Sequence, residues 1–359
     1  MDPLTLPPLD DLISRAHVVA LPMRIRFRGV GVREALLFDG TTAWSEFAPF
    51  VEYDAPEASR WLRSSLLMGF SDSLGPAARE TVAVNATIPA VDVDQDPGVI
   101  DRLMQRYPGC TTVKIKVAEK GQHLGQDLAR IRAVKQWFMD NDEVTEHPAI
   151  RLDANGGWDV STAIEAVEAV VASHIKIDYL EQPCPSADEL AELRRQLMRR
   201  GLFVRVAADE AIRKSADPRV AVREVVDAGA CDVVVLKVPP LGGVDVLLDI
   251  AAEVGRRGVA VTVSSALDTA VGLGAGLAAA ARLPALDDDD GMMVDPQAAG
   301  LATGTLFERD LAARPIVDGR MVVGPVVPDA QVLKECTVTG ERRDWWLDRV
   351  RECYRVLEG

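Results

Sequence analysis

Between residues 81 and 281 the chain alternates short, β-branched apolar runs with longer segments whose apolar positions recur at helical spacing. The runs are Thr81-Val82-Ala83-Val84-Asn85, Thr111-Thr112-Val113-Lys114-Ile115-Lys116-Val117, Ala149-Ile150-Arg151-Leu152-Asp153, Ile177-Asp178-Tyr179-Leu180-Glu181, Val204-Arg205-Val206-Ala207-Ala208, Val233-Val234-Val235-Leu236-Lys237 and Val259-Ala260-Val261-Thr262-Val263-Ser264. Such apolar runs suit strands covered on both faces. The segments at 124–138, 159–172, 187–200, 217–228, 243–256 and 269–281 predict helices. The alternation also keeps phase. Glu181 follows Asp153 by 28 residues (181 − 153), and Asp209, Lys237 and Ser265 follow at the same interval. A strand, turn, helix and loop take roughly 30 residues, and a fixed period of that size marks a repeated architecture. The fold class is α/β: a modified (β/α)8 TIM-like barrel over 81–303. Seven strands are clear. The eighth is weak, with Met292-Met293-Val294 as its candidate.

The flanks lack this cadence. Residues 1–80 read as an α+β capping domain: strands at 17–21, 32–38 and 42–47, a basic loop or strand at 23–29, and a helix at 58–68. Asp39-Gly40 is a hairpin turn signal. Residues 304–359 hold a hairpin at 315–323 and a helix at 343–357, and are expected to return to the cap and complete it.

Composition narrows the function. A net charge of −15 argues against nucleic acid. No apolar run approaches the ~20 residues of a membrane span, and the start at Met1 lacks the pattern of a signal peptide. The five cysteines are scattered, without a CxxC box, as expected of reduced thiols in the cytoplasm. The acidic run 287–290 reads as a solvated loop.

At the carboxyl ends of barrel strands, where ligands and catalysis sit, the period sets Asp153, Glu181, Asp209 and Lys237. Acids often cap the next helix, but that covers poorly three acids and a lysine in one phase. Three converging carboxylates would resist ionisation without a cation. Hard oxygen donors without histidine or thiolate suit Mg²⁺, with Mn²⁺ possible. Lys114 and Lys116, two apart on a strand, share a face. Their ammonium groups should lower each other's pKa from ~10.4 towards the ~7–8 useful in a general base, and a cation would lower them further. Lys237 faces the other side of the metal. A lysine on each side of a planar intermediate makes a proton-abstraction site. Asn155 shares the alternation of Asp153 and is placed to orient a ligand or water. Glu210 reads as a partner of the site or a helix cap. Arg151 is either a structural ion partner or a site residue. Ser264 and Ser265 precede a Gly-rich helix whose free N–H groups would favour a carboxylate. That glycine run lacks the third glycine of a dinucleotide fingerprint. The four histidines have no metal spacing, and Cys184 is expected to be a buried structural thiol.

Lys114-Ile115-Lys116, Asp153-Ala154-Asn155, Tyr179-Leu180-Glu181-Gln182-Pro183, Ala208-Asp209-Glu210 and Lys237 with Gly242-Gly243 together resemble the enolase superfamily, muconate-lactonising subgroup. The resemblance covers nearly the whole chain. Arg26-Phe27-Arg28-Gly29, Val32-Arg33-Glu34, the run 44–50, the run 151–158 and Ser264-Ser265-Ala266-Leu267 are similar to the o-succinylbenzoate synthase family within it. That resemblance implies a carbon–oxygen lyase: Mg²⁺-assisted dehydration of 2-succinyl-6-hydroxy-2,4-cyclohexadiene-1-carboxylate in menaquinone biosynthesis. It implies that Lys116 removes the proton and returns it to the departing hydroxyl. It further implies that Lys237 stabilises the enediolate, and that Asp153, Glu181 and Asp209 hold the metal. The partner is then a small anionic carboxylate; the oligomeric state is open, with a monomer favoured. Arg26 and Arg28 are candidates to meet the succinyl arm. Racemases of N-acylamino acids and dipeptide epimerases share these motifs, so the alternative is such a reaction on the same site. A dipeptide enzyme needs an acid for the substrate ammonium, with Asp268 and Asp295 as candidates. A third reading is a non-catalytic barrel.

Overall fold

The apolar runs form a seven-stranded parallel sheet in sequence order: β4 (Ala86–Ile88), β5 (Thr112–Lys116), β6 (Ala149–Asp153), β7 (Ile177–Glu181), β8 (Arg205–Ala208), β9 (Val233–Lys237) and β10 (Ala260–Ser264). β1 (Ala16–Phe27), β2 (Val30–Asp39) and β3 (Trp44–Phe47) are an antiparallel sheet in the cap. This computed structural model describes residues 4–27, 30–145, 147–287, 293–294 and 296–359. Arg28, the acids at 288–290, Met292 and Asp295 lie outside the described residues, as does the side chain of Arg26.

Four of the helices that cover the parallel crossovers begin on a side-chain cap. His123 and Ser186 form capping boxes for Leu124–Asp140 and Ala187–Arg199; Asp159 and Asp217 cap Val160–Ala172 and Pro218–Asp227. These caps accept the first-turn N–H groups that a helix leaves unpaired. Val244–Gly255 and Leu273–Ala280 complete the outer ring.

The ring closes at a place the apolar pattern does not mark. Ala299 bridges Val84 in parallel and Gly300 bridges Ser264, with Asn85 N–H donating to Ala299 O at 3.0 Å and Gly300 N–H to Val263 O at 2.8 Å. The eighth stave is therefore this two-residue bridge. Met293–Val294 pairs antiparallel with Leu286–Asp287 instead. Gly300 has to be small, because a Cβ there would come within 2.8 Å of Ser264 Oγ. The first stave is also displaced from its expected position: Thr81–Ala83 pairs antiparallel with Arg320–Val322 from the tail, and the parallel strand starts at Ala86.

The chain reaches that tail strand through a tight turn at Asp318 and Gly319, both at positive φ. A Cβ on Gly319 would meet Gly109 O at 2.4 Å. Left-handed backbone outside glycine costs on the order of 1–3 kcal/mol. Gly319→Ala is thus expected to lower stability by at least about 1 kcal/mol, read as a lower urea midpoint at unchanged slope.

The cap is built from both ends of the chain. Its core joins Leu21, Leu36, Phe47 and Trp61 to Trp346, Val350 and Cys353 of the C-terminal helix α8 (Glu341–Glu358). Trp346 Nε1 donates to Glu34 Oε2 at 3.1 Å, and Arg342 Nε reaches the same carboxylate. The cap helix α1 (Ala55–Phe70) grips the barrel: Arg60 Nε donates to Pro240 O at 2.9 Å, and Arg63 to Gly242 O and Asp245. The loop Lys237-Val238-Pro239-Pro240-Leu241-Gly242-Gly243 is therefore held from above.

Candidate active site

Parallel register places Lys116 opposite Asp153 and Asp153 opposite Glu181, one rung at the carboxyl end of three adjacent strands. Asp209 stands two residues beyond Ala207, which pairs with Glu181. Lys237 ends β9 opposite Ser264. In the ring of eight, β5 and β9 are four staves apart, so Lys116 and Lys237 face each other across the mouth. A cavity of about 660 Å³ opens between them. Lys114, Lys116, Asp153, Asn155, Asp209, Lys237, Ser264 and Ser265 line it, together with Phe50, Ala266 and Leu267.

The charges are already paired. Lys114 Nζ lies 3.1 Å from Glu181 Oε1 and 3.3 Å from Asp153 Oδ2. Lys237 Nζ pairs with Asp209 Oδ1, both buried. The mutual lowering expected of the two lysines does not govern Lys114. Burial pulls its pKa down, but the carboxylates of Glu181 and Asp153 outweigh burial and the net direction is up. Alternation put both lysines on one face but did not reveal that the lower one points at acids. Glu181 is pushed up to about 7, first by burial and then by Asp153 and Asp209, against the pull of Lys114 and Lys237. Lys116 differs from the other two lysines: among the described residues its ammonium has neither a hydrogen bond nor an ion pair.

The remaining candidates divide. Asn155 Nδ2 donates to Glu210 Oε1 at 3.3 Å, and Glu210 also accepts from Arg213 Nη2 at 2.8 Å. Arg151 does not line the cavity. It is 1% exposed, pairs with Asp178 at 2.8 Å, stacks 4.6 Å from the Tyr179 ring and donates to Ala298 O at 2.7 Å, tying the barrel interior to its closing seam. Ser265 Oγ lies 2.7 Å from Thr303 Oγ1. Four of the N–H groups ahead of the Gly-rich helix are taken by the protein's own acceptors. Ala266 N–H donates to Asp268, Thr269 N–H to Glu46, Ala270 N–H to Asp310 and Ser265 N–H to Gly300 O. Cys184 is fully buried, outside the cavity lining, with its thiol pushed up to about 12 by burial.

Two residues escaped sequence reasoning. Gln182 accepts from Asp209 N–H at 3.0 Å and Ala211 N–H at 3.1 Å, and donates to Cys184 O. It fixes the backbone from which Asp209 projects. Arg213 reaches both Glu210 and Asp209, the latter at 3.8 Å; its spacing of three and four from two acids is the signal that could have found it.

The donor set suits a hard divalent cation. Three carboxylates from consecutive staves share one neighbourhood, and burial, the larger cause, is joined by Asp153 and Asp209 in raising Glu181. Among the described residues no three such groups stand close enough to enclose an ion as they are placed. The fit is one of charge, donor chemistry and order along the rim.

Two family models match the chain: enolase N-terminal domain-like over 18–68 and enolase C-terminal domain-like over 99–325. The o-succinylbenzoate synthase of Mycolicibacterium smegmatis is 47% identical over 354 residues, covering 98% of this chain and 99% of that protein. That of Mycobacterium marinum is 46% identical over 356 residues, covering 99% and 97%. Among solved structures, muconate lactonizing enzyme from Pseudomonas fluorescens superposes with a TM-score of 0.69 at 19% identity, covering 90% of this chain and 98% of that one. N-succinyl Arg/Lys racemase from Bacillus cereus superposes at 0.68 and 16%, covering 90% and 97%. At that identity the structural likeness speaks for the fold.

Proposed function

The chain belongs to the o-succinylbenzoate synthase family of the enolase superfamily, and from that premise we propose how it acts as an o-succinylbenzoate synthase. The substrate is 2-succinyl-6-hydroxy-2,4-cyclohexadiene-1-carboxylate, a small anionic carboxylate, and the product is 2-succinylbenzoate, in menaquinone biosynthesis. The observation that carries the reading is a pair of lysines on opposite staves across one cavity, one engaged with an acid and the other with its Nζ unengaged among the described residues.

Lys116 Nζ takes the proton from the carbon bearing the ring carboxylate. The electron pair moves into the carboxylate to give an enediolate. As the C–O bond to the ring hydroxyl breaks, Lys116 returns the proton to the leaving oxygen and water departs. The ring becomes aromatic. Lys237, opposite, keeps a positive charge beside the enediolate throughout, as an electrostatic stabiliser already in place. Asp209 holds that ammonium, and Gln182 and Arg213 hold Asp209. Asp153, Glu181 and Asp209 would hold Mg²⁺, or Mn²⁺ in its place. When bound, the cation supplies positive charge to the substrate carboxylate. Residues 81–303 carry the reacting groups in this scheme; 1–80 with 304–359 shape the arm end of the cavity. We further place the protein in the cytoplasm, with the oligomeric state open and a monomer favoured. Among the described residues no helix is long and apolar enough to cross a membrane.

The test is direct. With the cyclohexadiene substrate, the ultraviolet band of the aromatic product should appear. With N-acylamino acids in D₂O, no comparable α-deuterium should be incorporated. Exchange without dehydration would favour the racemase reading. A dipeptide substrate is disfavoured by Asp268, which is 2% exposed, bonded to Ala266 N–H and outside the cavity lining.

A further inference from the structure

Part of the cavity wall is assembled from segments far apart in sequence: Phe50 of the cap and residues 264–267 of the barrel. Arg33 of β2 lies between them. It is 3% exposed. Its Nε donates to Leu267 O at 3.0 Å, its Nη2 donates to Ala48 O and reaches Ala266 O at 3.5 Å, and its Cζ lies 4.5 Å from the centre of the Phe50 ring. One guanidinium thus holds three carbonyls and a ring from both parts of the molecule.

The wall needs holding. Leu267 has φ +66, a left-handed conformation that a leucine adopts only when its surroundings impose it. The amides on either side of it are fixed by Asp268, Glu46 and Asp310. Burial lowers the pKa of Arg33, and the neighbouring Glu46 and Asp268 act against that lowering. From the other side, Arg349 donates to the carbonyls of Phe50, Val51 and Tyr53. None of these hydrogen bonds of Arg33 is to Lys116, Lys237 or the three carboxylates.

We propose that Arg33 is a positioning residue that sets Phe50 and Leu267 as the apolar wall for the part of the substrate remote from the reacting carbon. It rests on the reaction proposed above. A planar fork is required, because a lysine ammonium is a single point and cannot span the carbonyls of Leu267 and Ala48 together. Removal of the fork therefore weakens substrate fit and leaves the proton-transfer groups in place.

The test is Arg33→Lys, which keeps the charge that Glu46 and Asp268 require. It is expected to raise KM by about 10-fold or more, with kcat within about threefold of wild type and a parallel loss of affinity for the product 2-succinylbenzoate, measured by calorimetry. KM and product affinity within twofold of wild type, or a fall in kcat at unchanged KM, would overturn it. If Arg33→Lys does not fold, the charge-balanced pair Arg33→Gln with Asp268→Asn is measured in the same way, and the same split is required. A wild-type protein that neither forms nor binds 2-succinylbenzoate removes the reaction itself; an active wild type with an unaffected variant removes only the role of Arg33.

Discussion

Lys116→Ala is expected to cut turnover by at least about 10²–10⁴-fold, the usual share of a general acid–base group, or roughly 3–5 kcal/mol of barrier. Its melting temperature should barely move. The reason lies in how the three lysines are used. The Lys116 ammonium is engaged with no described partner, so its removal orphans nothing. Lys237→Ala is different, because Asp209 is 2% exposed and would keep a buried charge without its ammonium. Removing one member of a buried pair costs about 3–5 kcal/mol of stability. Steady-state kinetics with thermal melts on both variants separate the two roles. A Lys116→Ala protein that still dehydrates at the wild-type rate would end the scheme.

The second large effect concerns the carboxylates. EDTA should abolish dehydration, and added Mg²⁺ or Mn²⁺ should restore it. Asp209→Asn should weaken ion affinity and rate together. A readout independent of activity is available, because a ligand present at 100 times its Kd stabilises the folded state by about 2.7 kcal/mol. Mg²⁺ should therefore raise the melting temperature of the wild type and do so much less for Asp209→Asn. Full activity in EDTA, or no thermal shift with either ion, would contradict the assignment of Asp153, Glu181 and Asp209 as ligands. Glu181 is buried beside two other acids, with Lys114 and Lys237 the main charges drawing its pKa back down.

What could be read from the chain alone followed from the physics of each element. Apolar runs that stop on a polar side chain identify buried strands with their functional ends, and the interval of 28 residues carries the order of the rim. The eighth stave was illegible because Ala299 and Gly300 carry no β-branched signal; small size, not propensity, admits them beside Ser264. The occupation of the Thr269 and Ala270 donors is invisible in the local sequence because their acceptors arrive from elsewhere: Glu46 lies 223 residues from Thr269, and Asp310 lies 40 from Ala270. Lys114 was assigned to the right face, but its partner, Glu181, lies two strands away. Local pattern reports which way a side chain points, and the fold alone reports what it meets.

The cap core that joins β1–β3 to α8 bears on the order in which the molecule is made. Domains generally fold as units while the chain emerges from the ribosome, amino-terminal parts first. Here the strands and α1 emerge before the barrel and α8 after it, so Trp346 leaves the ribosome only after every reacting residue has been made. The docking of α8 brings Arg349 to Phe50, so the roof over the lysines and acids is finished by a helix made after them.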